Sequence, residues 1–76
     1  MRLYWARVAH WDLDYLFEVN GEEARAVISR VKKPDGSHGR PKPCSPVLYD
    51  TVTVRNMARE KGGFWRKQGR RKREDE

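Results

Sequence analysis

The sequence predicts a small α+β fold: an antiparallel sheet made of a β-hairpin plus one further strand, packed on one helix, with a long Pro/Gly loop and a basic C-terminal tail. Three observations carry that expectation. Aromatic and β-branched side chains crowd the segment RLYWARVAHW, an apolar stripe at helical spacing runs through NGEEARAVISRVKKP, and all four prolines fall between residues 34 and 46.

Taken in order, residues 2–11 read as a strand, because large apolar and polar side chains roughly alternate there. The segment YLFEV puts Tyr15, Phe17 and Val19 on one face and Leu16 and Glu18 on the other, which predicts a second strand hairpinned to the first. From Gly21 to Lys33 a helix is expected. Asn20 stands as its N-cap with Glu23 three residues on, Ala24, Val27, Ile28 and Val31 form the stripe, and Pro34 ends it. Residues 34–46 then read as an exposed loop. VLYDTVTV has strand composition, and RNMAREKGG suggests a short helix capped by Asn56 and closed by Gly62 and Gly63. A continuous helix from Thr51 to Lys61 is the alternative, since Val54, Met57, Ala58 and Lys61 also share a helical face. The domain division is therefore 1–61 for one folded unit and 62–76 for a tail without fixed structure when free.

Length bounds function. A chain of 76 residues buries only about 60% of the surface its unfolded form exposes. Apolar residues make up 37% and charged residues 37%, a balance that leaves no core thick enough to enclose a deep catalytic pocket. No segment approaches the roughly 18–20 apolar residues a membrane span needs, and the N-terminus lacks the apolar run of a secretory signal. These features predict a soluble intracellular protein. The lone Cys44 has no partner for an internal disulfide, in keeping with a reducing compartment.

Seventeen Lys and Arg against eleven Asp and Glu give a formal charge of +6. The excess is steepest in GGFWRKQGRRKREDE, where Arg66, Lys67, Arg70, Arg71, Lys72 and Arg73 follow Phe64 and Trp65. Closely spaced cations neutralise phosphates, and flat rings stack on bases, so this segment reads as a nucleic-acid anchor with Trp65 as the stacking residue. Arg40 and Lys42 in the loop read as a secondary contact.

Signals for catalysis are weak. Asp12 and Asp14 form a D-x-D that suits a turn better than a metal. His10, His38 and Cys44 lack zinc spacing. PDGSHGRPKP is too poor in glycine to cradle a phosphate and does not lead into a helix, so neither a P-loop nor a dinucleotide fingerprint is present. No metal, cofactor or catalytic residue is assigned. The expectation is a non-enzymatic basic protein that binds DNA or RNA; the competing class is an accessory factor or inhibitor, of viral type for instance, that docks on a nucleic-acid-processing complex.

Overall fold

The computed structural model describes residues 2–68. Five strands and one helix follow in the order β1 (Arg2–Arg7), β2 (Leu13–Asn20), β3 (Glu23–Val31), β4 (Lys42–Asp50), α1 (Thr51–Ala58) and β5 (Phe64–Lys67). They build one antiparallel sheet ordered β4-β3-β2-β1-β5, so the first four strands form a meander and the helix carries the chain back to pair β5 with β1. A small α+β fold is thus present, with more strands and a different helix from those the sequence suggests.

The helix expected over residues 21–33 is strand β3. Asn20 pairs with Glu23, leaving Gly21 and Glu22 as a two-residue loop. Gly21 has φ of 64°, and no non-glycine residue among those described has positive φ, so the turn takes the type II′ form with glycine at its first central position. Asn20 therefore ends a strand instead of capping a helix. Within β3, Ala24 and Ala26 alternate into the core. The register shifts between Leu16 and Phe17, leaving Val27 as an extra residue, and beyond it Ser29 takes up the same face opposite Tyr15.

The helix lies instead at Thr51–Ala58, close to the continuous alternative and without the Asn56 cap. Asp50 is its cap: one carboxylate oxygen accepts from the Thr53 amide at 3.0 Å and the Thr53 hydroxyl at 3.1 Å. Four β-branched or hydroxyl residues in TVTV are poor helix formers, and the cap plus burial of Val54 and Ala58 one turn apart outweigh them. Thr51 is clipped to the β2–β3 turn through its amide to the Glu22 carbonyl at 2.9 Å and its hydroxyl to the Gly21 carbonyl at 3.1 Å.

The Pro/Gly loop is shorter than residues 34–46, because Lys42 opens β4 and takes Pro43 and Pro46 into a strand. That strand is at the sheet edge, where a missing amide costs no ladder bond. Between the pairs Ala26–Val47 and Ile28–Pro43, three residues of β4 face one of β3, a bulge that absorbs Pro46, while Pro43 sits at its border. The remaining loop is held down: Lys33 donates to the Ser37 carbonyl, Lys32 bridges to His38, and Arg7 Nη1 donates to the Gly36 carbonyl at 3.2 Å.

The core fills the face of the sheet that α1 covers. Ala6, Val8, Phe17, Ala24, Ala26, Val54 and Ala58 are buried, with Trp11, Tyr15, Val19, Tyr49, Met57 and Trp65 packed around them. Alanines on β1 and β3 flank Phe17, the largest fully buried side chain, whose removal from water contributes about 1.5–3 kcal/mol.

Candidate nucleic-acid interface

Cross-strand partners share a face, so the register fixes what the other side of the sheet presents. One row across it reads Arg30, Asp14, Arg7, Phe64, and the next reads Ile28, Leu16, Trp5, Arg66. Asp14 is fully buried and is clamped by Arg7, whose Nε and Nη2 donate to its two oxygens at 2.7 and 2.8 Å, while Arg30 Nε adds a bond at 3.3 Å. The guanidinium of Arg30 lies 3.8 Å from the centre of the Trp5 ring, and those of Arg7 and Arg66 lie 5.0 and 4.6 Å from that of Phe64. The two arginines that share Asp14 shift in opposite directions. The bonds to Asp14 raise the pKa of Arg7, whereas burial lowers that of Arg30, whose one bond is longer.

This cluster is structural before it is anything else. Arg7 and Arg30 side chains are only 11% exposed; the Arg7 donors are taken by Asp14 and the Gly36 carbonyl, and Arg30 is held between Asp14 and the Trp5 ring, so neither is positioned to clamp a phosphate. The same bonds dispose of the D-x-D as a metal ligand pair, since both Asp14 oxygens are occupied by arginine while Asp12 stays exposed. No group of His, Cys, Asp and Glu among the described residues is arranged to hold a metal.

The expected contact residues separate into three sets. Arg66 and Lys67 are exposed on β5, a sheet edge, with Arg66 on the arginine-aromatic face. Trp65 points the other way, stacking on Tyr4 with centroids 4.8 Å apart and rings 15° from parallel, and it packs against the core near Phe17. It seats β5, so the stacking anticipated toward a base is made toward Tyr4. Phe64–Lys67 accordingly belongs to the folded unit, and the boundary at residue 62 moves to the end of β5, where the Gln68 amide still bonds the Leu3 carbonyl at 2.8 Å. Arg70, Arg71, Lys72 and Arg73 lie outside the described residues.

Arg40 and Lys42 are exposed at the opposite edge. Lys42, Ser29, Tyr15, Ala6 and Trp65 form one row, four strand steps end to end, or about 19 Å across a flat sheet. The two basic groups are therefore separate patches. Arg30 is not identifiable from the sequence as part of an arginine-aromatic surface, because the helix expected over residues 21–33 contains it. No family model, no curated protein and no solved structure matches the chain.

Proposed function

We propose that this protein is a small non-enzymatic module that binds nucleic acid through the phosphate backbone. Its primary contact runs from Arg66 and Lys67 into Arg70, Arg71, Lys72 and Arg73, with Arg40 and Lys42 as a second, distant contact. The observation that carries this is the placement of Arg66 and Lys67, exposed on an edge strand that leads straight into four further cations. A short edge strand with outward cations resists pairing with other strands and leaves its charge free for a polyanion. No helix is long and apolar enough to cross a membrane among the described residues.

Titration of the whole protein against duplex DNA, single-stranded DNA and structured RNA at several salt concentrations tests the proposal. Binding whose logarithm falls linearly with the logarithm of salt supports it. Absence of binding to all three at low salt removes it. The accessory-factor reading then takes its place, favoured by the edge strand β4, which exposes Val47 on one face and Leu48 on the other by 47% and 60%.

A further inference from the structure

We infer that a cleft beside the β1–β2 connection is a subsite for one unstacked base of a single-stranded nucleic acid; this rests on the nucleic-acid reading above and names where a base would go. The cleft measures about 410 Å³ and is lined by His10, Trp11, Asp12, Leu13, Tyr15 and Tyr49. It is built by a turn. The Trp11 amide donates to the Val8 carbonyl at 2.9 Å, folding residues 8–11 back so that the indole meets the sheet.

Three rings form its wall. Trp11 meets Tyr15 edge to face, with centroids at 5.5 Å and planes at 87°, and meets Tyr49 at 5.7 Å and 46°. Tyr49 in turn rests on the buried Phe17 at 5.6 Å, which ties the wall to the core. Trp11, Tyr15 and Tyr49 are each only half-buried, so aromatic surface stays open to solvent on a rigid support. Such surface attracts the flat face of a base whatever its sequence.

Charge around the cleft selects the ligand. Lys42 lies on the same face as Tyr15 and in the same row, two strand steps or about 10 Å away, and Arg40 precedes it by two residues. Lys32 braces the β1–β2 connection, with its amide on the Asp12 carbonyl and its ammonium on the Ala9 carbonyl at 2.7 Å. Aromatic rings line the cleft and Lys42 lies outside it, an arrangement that suits an aromatic ring carrying a phosphate outside. The exposed Asp12 carboxylate is an acceptor for an amino group on a base edge, as a carboxylate accepts from the N4 amino group of cytosine.

The test uses the full chain and two oligonucleotides of equal length and charge, one of deoxycytidine and one abasic throughout. The inference expects the deoxycytidine strand to bind at least about fivefold more tightly, as base stacking on aromatics requires. It also expects the indole N–H resonance of Trp11, more than those of Trp5 and Trp65, to move on binding. Asp12→Ala, at an exposed site, should reduce the preference for deoxycytidine over thymidine strands while keeping the fold. Equal affinity for both strands with a silent Trp11 overturns the subsite and leaves the nucleic-acid reading standing. Failure of both strands to bind removes both. A Trp11 resonance that moves with tetramethylammonium and not with the deoxycytidine strand identifies a cation site and overturns the inference.

Discussion

Asp14 is the residue on which most of the outer face depends. A fully buried carboxylate is tolerable only while Arg7 and Arg30 satisfy it, and both arginines lose their partner if it goes. Asp14→Ala is therefore expected to cost about 3–5 kcal/mol in chemical denaturation, the range for breaking one side of a buried ion pair. Little of this was legible beforehand, because the partners sit 7 and 16 residues away and meet Asp14 only through strand register. Gly63 is a second sensitive position for another reason: a Cβ there would collide with the carbonyls of Arg7 and Ala58. Neither obstacle is a movable side chain. Gly63→Ala should destabilise the fold by at least about 1–3 kcal/mol, read from the denaturation midpoint.

Tyr15 adds a pH dependence. Burial first, then the neighbouring Tyr49 and Cys44, push its phenol above its ordinary value of 10.0. The folded state then holds that proton more tightly than the unfolded state does. Stability from this group is complete below about pH 10 and falls as pH rises through the folded pKa. An alkaline denaturation series should show that loss, and Tyr15→Phe should remove this part of it.

At the scale of elements, β3 explains where sequence reasoning failed. Ala24 and Ala26 obey a period of two, and the extra residue at Val27 then shifts the phase by one. That slip makes Ala24, Val27, Ile28 and Val31 look like a helical stripe, although Val31 is 54% exposed. Charged first-turn and last-turn residues reinforced the mistake. The decisive signal was Gly21-Glu22, a two-residue hairpin loop with glycine first, followed by β-compatible residues. Gly21→Ala tests the turn: no atom lies within 4 Å of the added Cβ, so the cost is backbone strain alone, about 1–2 kcal/mol. The first hairpin was legible because Tyr15, Phe17 and Val19 alternate cleanly and pack on or beside the core. Helix α1 was legible only as an alternative, since its Asp50 cap competes with the strand-like composition of TVTV.

Across the whole molecule, charge was easier to read than shape. The basic excess and its rise toward the C-terminus follow from composition, but the division between Trp65 and the cations after it required the pairing of β5 with β1. Trp65 alternates inward and Arg66 outward, so an apparently uniform basic-aromatic segment is half core and half surface. Arg40 and Lys42, grouped with the tail by charge, sit at the far edge of the sheet. A polyanion touching both patches must cross the molecule, whose extents are 32 × 29 × 24 Å.

That geometry fixes how the tail should be removed. Cutting after Gly63 would take β5 and Trp65 from the sheet, whereas ending the chain at Gln68 keeps every described strand and deletes Gly69, the four cations from Arg70 to Arg73 and the three acids beyond them. The measurement is the salt dependence of duplex DNA binding for the full chain and for the chain ending at Gln68, with circular dichroism confirming that both fold. Each phosphate contact contributes about 0.9 to the log–log slope, so loss of three or four contacts should flatten it by roughly 3 and weaken binding at low salt. An unchanged slope and affinity in the folded, shortened chain would contradict the account and leave the tail without a role in holding nucleic acid.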